Sequence, residues 1–114
     1  MSRSPITTHV LDTALGRPAK GVALNLEVRR DGAWRALAEG TTDDDGRCST
    51  LLAPGSLEAG TYRLSFALDA YFEATGRSSF YPEASIVFRV RDVVEHYHVP
   101  LLLAPYGFST YRGS

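Results

Sequence analysis

Val22-Ala23-Leu24-Asn25-Leu26-Glu27-Val28-Arg29-Arg30-Asp31-Gly32 decides how this chain folds. Val22, Leu24, Leu26 and Val28 point one way, and Ala23, Asn25, Glu27 and Arg29 the other. A period of two puts one apolar face on an extended strand. Asp31-Gly32 then closes the run, and this dipeptide is a strong hairpin signal because both residues tolerate positive φ. The alternation returns in Tyr62, Leu64, Phe66 and Leu68, in Ile86, Phe88 and Val90, and in Tyr97, Val99, Leu101 and Leu103. Half-buried antiparallel strands are therefore expected throughout. Asp45-Gly46 reads as a second hairpin turn, and Pro54-Gly55 with Gly60 as a loop before the next strand. A helix is expected only over Ala70 to Gly76, ended by its glycine. The pattern is that of an all-β protein, a two-sheet antiparallel β-sandwich of seven or eight strands with one short helix. Without a Cys…Trp…Cys pattern, it is not an immunoglobulin domain proper.

Composition agrees with a folded chain. At 114 residues, with 44% apolar and 22% charged side chains, residues 1–114 are expected to form a single domain with a real core. Twelve basic and 13 acidic residues leave a net charge of −1. No basic block is present, which argues against nucleic acid or a membrane surface as partner. Cys48 stands alone, so an intramolecular disulfide is excluded and a reducing compartment is expected. Met1 to Thr8 carries no apolar leader core, and no stretch reaches the roughly 18 apolar residues of a membrane span. The expectation is a soluble, cytoplasmic protein. Ile86-Val87-Phe88 is apolar on both faces, and Tyr106 to Tyr111 is rich in aromatics, so both segments call for a covering layer or a second subunit.

Two histidines fall on expected strands. In Thr8-His9-Val10, His9 shares a face with Thr7 and Leu11. In His96-Tyr97-His98-Val99, His98 opposes the core-facing Tyr97, Val99 and Leu101. Both imidazoles therefore stand on the solvent side, where they meet if their strands are neighbours. Imidazole is the side chain best matched to proton transfer near neutral pH, although an outward histidine is also compatible with plain solvation. His96 and His98 have the i, i+2 spacing of a metal pair, but no third ligand follows at a convincing spacing and Glu95 falls on the wrong alternation, so no metal is assigned. Arg47, after the acidic run Asp43-Asp44-Asp45, is either a site residue or a solvated turn arginine. Cys48 reads best as a small buried hydrophobe. Phosphate loops, nucleophile elbows and dinucleotide fingerprints are absent.

The chain ends on Tyr111-Arg112-Gly113-Ser114. An aromatic ring, a guanidinium, a glycine and a hydroxyl make an unusual tail, expected to tuck into a site or an interface. Together with Thr8-His9-Val10-Leu11-Asp12-Thr13-Ala14, with Gly16-Arg17-Pro18-Ala19, and with the run from His98 to Ser114, this tail resembles the signatures of the 5-hydroxyisourate hydrolases, enzymatic relatives of transthyretin. Asp45-Gly46-Arg47 and Phe80-Tyr81-Pro82-Glu83 fall in that family's order. Ala104 and Phe108 stand where Ser and Tyr are also usual. The resemblance implies a transthyretin-like sandwich of two four-stranded sheets, assembled as a homotetramer with active sites in the channel at the dimer–dimer interface. It implies that His9, Arg47, His98 and Ser114 are catalytic and that Tyr111, Arg112 and Gly113 bind substrate. The implied reaction is water attack on a ring amide carbonyl of 5-hydroxyisourate in urate degradation, with no cofactor. Transthyretin itself shares the frame but lacks the two histidines, the arginine and the terminal motif. A non-enzymatic transthyretin-like module binding a small planar ligand is the alternative, and a purely structural sandwich a further one.

Overall fold

The Asp31-Gly32 turn forms as expected. Asp31 (φ 52°) and Gly32 (φ 78°) both take left-handed conformations, and the flanking strands pair antiparallel from Arg30–Ala33 out to Ala23–Thr41. The turn belongs to a computed structural model that describes residues 3–114. Met1 and Ser2, the first two positions of the segment read for a leader, lie outside the described residues. In chain order the described residues form β1 (Ile6–Asp12), β2 (Arg17–Pro18), β3 (Ala23–Arg30), β4 (Ala33–Thr41), β5 (Arg47–Cys48), β6 (Gly60–Ala67), α1 (Leu68–Ala74), β7 (Glu83–Val90), β8 (Tyr97–Ala104) and β9 (Gly107–Thr110). Seven of these strands run four residues or more, while β2 and β5 are two-residue pieces.

One sheet has the order β4-β3-β6-β7. The other has the order β2-β1-β8-β9, with β5 also paired to β1. Because β8 occupies one edge of β1, β2 and β5 share the other, and the second sheet is four ranks wide. Val10 marks the changeover: its N–H donates to the Gly46 carbonyl (2.7 Å), and its carbonyl accepts from Ala19 N–H (2.9 Å). The sandwich core lies where the alternation put it. Leu24, Leu26 and Val28 of β3 meet Leu64 and Phe66 of β6, with Val99, Leu101 and Leu103 opposite from β8, all buried. Each such side chain contributes about 1.5–3 kcal/mol by leaving water.

Three features depart from the simple hairpin reading. The β1–β8 ladder is parallel, pairing Ile6 with Tyr97 and Asp12 with Leu103. Strands this far apart in sequence are joined by a crossover rather than a tight turn, so hairpin chemistry does not fix their direction. Asp45-Gly46 makes a tight turn, but β4 on one side of it and β5 on the other belong to different sheets. The turn closes locally, with Asp43 N–H donating to the Arg47 carbonyl (2.9 Å) and Arg47 N–H donating to Asp43 Oδ1 (2.9 Å). Gly46 (φ 76°) lies so close to β1 that a Cβ would stand 2.4 Å from the Val10 carbonyl oxygen. The helix, lastly, begins at Leu68, earlier than expected, because the Pro82 carbonyl accepts from the N–H groups of Leu68 (3.0 Å) and Asp69 (3.2 Å). Its buried residues Leu68, Tyr71 and Phe72 have the spacing of one helical face.

An ionic cluster fastens that helix to β1. Asp12, fully buried, accepts from the Tyr71 hydroxyl (2.7 Å), from Arg77 Nη2 (2.5 Å) and from Leu15 N–H (3.1 Å). Burial alone would raise the pKa of this carboxyl, but Arg77, Tyr71 and the Leu15 N–H outweigh it and hold the group below its usual 3.8. The Tyr71 phenol, desolvated and facing Asp12, is pushed up to about 12.

Candidate active site

Strand register builds the site. In the parallel ladder Thr7 lies beside His98 and His9 beside Pro100. On the other edge of β1, His9 lies opposite Arg47. Paired residues share a face, so Arg47, His9, Thr7 and His98 all stand on the outer side of one sheet. The tail adds a fourth segment, since Gly113 bridges to His98 with its N–H donating to the His98 carbonyl (2.8 Å). A cleft of about 180 Å3 results, lined by Arg3, Thr7, Arg47, Ser49, His98 and Ser114 among others. His9 is half-buried beside this cleft rather than in its lining, yet its charge acts on His98 and on Asp43.

Hydrogen bonds fix the rings. Thr7 Oγ1 lies 2.8 Å from His98 Nδ1 and 2.9 Å from His96 Nε2, and the two imidazoles stack with centroids 6.4 Å apart. Desolvation lowers the pKa of His98 below 6.5, helped by the neighbouring charges of His96, Arg47, His9 and Arg3. His96 is lowered by desolvation and Arg3. Neutral imidazoles able to accept a proton near neutral pH are the consequence. Among the described residues no cluster of three or more His, Cys, Asp and Glu is placed to hold a metal, and His96 and His98 both turn to the Thr7 hydroxyl instead.

The tail divides. Ser114 lines the cleft and Gly113 sits against His98, whereas Tyr111 and Arg112 line a separate cavity of about 240 Å3 bordered by β7 and β8. Arg112 Nη2 donates to Glu95 Oε1 (2.8 Å) and to the His96 carbonyl (3.3 Å), and the guanidinium lies 4.5 Å from the centre of the Tyr97 ring. Pro100 explains the excursion. Its carbonyl points to the same edge as that of His98, where Thr110 Oγ1 meets it at 2.7 Å, but proline has no N–H to continue the ladder. β9 therefore stops at Thr110 and the chain rejoins β8 only at Gly113. A Cβ on Gly113 would stand 2.6 Å from His98 Cδ2 and 3.2 Å from Pro100 Cγ. Gly113→Ala must displace tail or ring, and misplacement of this kind costs about 10²-fold in rate. We expect that loss in kcat/KM with a nearly unchanged melting temperature, measured on the same preparation.

Thr7 and His96 are the site residues that the sequence reading did not single out. Thr7 was visible as sharing the face of His9, and His96 as half of an i, i+2 pair. Only the parallel register brings them together. Cys48 is buried in the core, its Sγ against Gly40, where a Cβ would stand 2.7 Å away.

A two-layer sandwich with histidines, an arginine and its own C-terminal residues on one outer sheet face defines a narrow class of transthyretin-fold proteins. The chain belongs to the HIUase/Transthyretin family, whose profile matches residues 6–113. The mouse 5-hydroxyisourate hydrolase is 45% identical over 97% of this chain and 96% of that protein. The Caulobacter vibrioides 5-hydroxyisourate hydrolase is 48% identical over 97% of this chain and 99% of its own length. Among solved structures, the Klebsiella pneumoniae 5-hydroxyisourate hydrolase superposes with a TM-score of 0.82 at 42% identity, covering 100% of both chains. Sea bream transthyretin in complex with thyroxine superposes with a TM-score of 0.90 at 33% identity, covering 96% of this chain and 94% of that one. Hydrolase and carrier thus share the frame, and the frame alone does not assign an activity.

Proposed function

We propose that this chain is a 5-hydroxyisourate hydrolase of urate degradation, acting in the cytoplasm as a single-domain protomer of a homotetramer whose active sites lie at the dimer–dimer interface. The observation that carries the reading is the convergence of Arg47, His98 and Ser114 on one cleft beside His9. Water attacks a ring amide carbonyl of the substrate and the ring opens, giving 5-hydroxy-2-oxo-4-ureido-2,5-dihydro-1H-imidazole-5-carboxylate. His9 and His98 serve as the pair that takes the proton from water and returns one to the leaving nitrogen. Arg47, with its fixed fork of donors, anchors the electron-rich substrate and stabilises the oxyanion. Ser114 and the Gly113 backbone hydrogen-bond the ring or the attacking water, while Tyr111 and Arg112 hold the tail on course. Water is the nucleophile, so neither a covalent intermediate nor a cofactor is needed.

The test is direct. 5-Hydroxyisourate generated in situ from urate should lose its ultraviolet absorbance faster in the presence of this protein. Binding of a planar ligand without acceleration would favour the carrier reading, for which the sea bream superposition is the support. Within the hydrolase reading, Arg47→Ala should raise the barrier by about 3–4 kcal/mol, as for other oxyanion donors. Arg47→Lys should restore only part of the rate, because charge returns without the planar fork. A rise in KM at constant kcat would assign Arg47 to substrate binding alone.

A further inference from the structure

The Thr7 hydroxyl touches two imidazoles at once, His98 Nδ1 at 2.8 Å and His96 Nε2 at 2.9 Å, and carries a single proton to share between them. Thr7 is buried, and these two ring nitrogens are the side-chain partners of its hydroxyl. From this geometry we infer that Thr7 is a one-proton switch that makes His96 set the tautomer of His98, and through it the state of His98 Nε2, the ring nitrogen that Thr7 does not hold. The inference rests on the hydrolase reading for its kinetic consequence, but not for the switch itself.

Counting protons gives the allowed states. If Thr7 donates to His96 Nε2, then His98 Nδ1–H donates to Thr7, and both neutral rings are Nδ1–H tautomers. His98 Nε2 is then a bare lone pair, fit to act as a base. If Thr7 instead donates to His98 Nδ1, then His96 Nε2–H donates to Thr7, and both rings are Nε2–H tautomers. His98 Nε2–H is then a donor, fit to act as an acid. Mixed tautomers leave either the Thr7 proton or one ring nitrogen without a partner in a buried place, which is costly.

The switch therefore moves between base and acid by a balanced relay. A proton taken from water by His98 Nε2 lets the Nδ1 proton pass to Thr7 Oγ1, while the Thr7 proton passes to His96 Nε2. Hydroxide has been delivered, His96 carries the positive charge, and His98 is left neutral with a proton on Nε2 for the His9–His98 pair to return to the leaving nitrogen. Giving it up reverses the relay. At rest both rings are kept neutral by desolvation, His96 with help from Arg3 before β1, and His98 with help from His96, Arg47 on β5, His9 on β1 and Arg3. The Arg112 guanidinium, neutralised by Glu95, reaches only the His96 carbonyl. Thr7 and His96 act through His98, which makes them positioning residues.

The full chain labelled with 15N in its histidines provides the test, read by imidazole nitrogen shifts across a pH series. Matched tautomers in His96 and His98 are expected, with coupled titration, and Thr7→Ser should preserve both. Thr7→Val should uncouple the two titrations, lower kcat by roughly 10²-fold with KM little changed, and move the acid limb of the rate profile; Thr7→Ser should recover most of the rate. Opposite tautomers in the unaltered chain would overturn the switch, whether or not the Val variant folds. A Thr7→Val protein with the original kcat and pH profile would overturn its part in turnover. If the unaltered chain fails to hydrolyse 5-hydroxyisourate, the functional reading falls, while the tautomer measurement still decides the switch.

Discussion

His98→Asn is expected to slow turnover about 10²–10⁴-fold, the range for loss of a general acid–base group, and His9→Asn to do the same. Asparagine keeps a polar side chain of similar reach but has no nitrogen that gains or loses a proton near neutral pH. The charge of His9 is felt at His98, and the two rings are assigned to one proton-transfer sequence. The double variant should consequently cost far less than the product of the single losses. Since desolvation and its charged neighbours lower His98 below 6.5, the acid limb of the native rate profile should also lie below 6.5. Steady-state rates of the single and double variants against pH check the assignment. Fully multiplicative losses would dissolve the pair, and full activity in either single variant would remove that residue from the reaction.

Asp12→Ala is expected to lower folding stability by about 3–5 kcal/mol, the usual result of stripping one partner from a buried ion pair. Arg77 would be left with no carboxylate and Tyr71 with no acceptor, both at the joint between α1 and β1. That is a large share of the roughly 5–15 kcal/mol by which a domain of this size is stable. The pH dependence follows from the lowered carboxyl pKa. Asp12 contributes stability above its unfolded value near 3.8, and this contribution fades as pH falls through the folded value below it. Urea unfolding of the native chain should thus show a steep acid loss that Asp12→Asn largely flattens, starting from a lower plateau. An alanine variant within 1 kcal/mol of the native chain in the same urea titration, by contrast with the ~3–5 expected, would show the cluster to be ornamental.

Which side of each strand faces the core was legible because that depends only on local period. Val22, Leu24, Leu26 and Val28 are all buried, as are Tyr62, Leu64 and Phe66, while Leu68, read as the next strand position, is buried as the first residue of the helix. The outward placement of His9 and His98 followed from the same rule. Neighbourhood was not legible, because it depends on pairings between distant segments. Nothing near Thr7 announces that it lies beside His98, and nothing near Asp45-Gly46 announces that the chain changes sheets there. The tail shows the same limit at close range. Tyr111 to Ser114 reads as one motif, yet its members part company because Pro100, on another strand, withholds one N–H.

That missing N–H has a second consequence, for the company the molecule keeps. An outermost strand with a long row of free N–H and C=O groups is a template on which other chains add, the first step to aggregation. Had the ladder continued, such a row would run from Gly107 to Ser114. Instead β9 ends at Thr110, and beyond it the Arg112 guanidinium is drawn across Tyr97 to Glu95. The row that another chain could extend is thereby held to the four residues of β9, and the same proline that sends the tail to the histidine keeps it short.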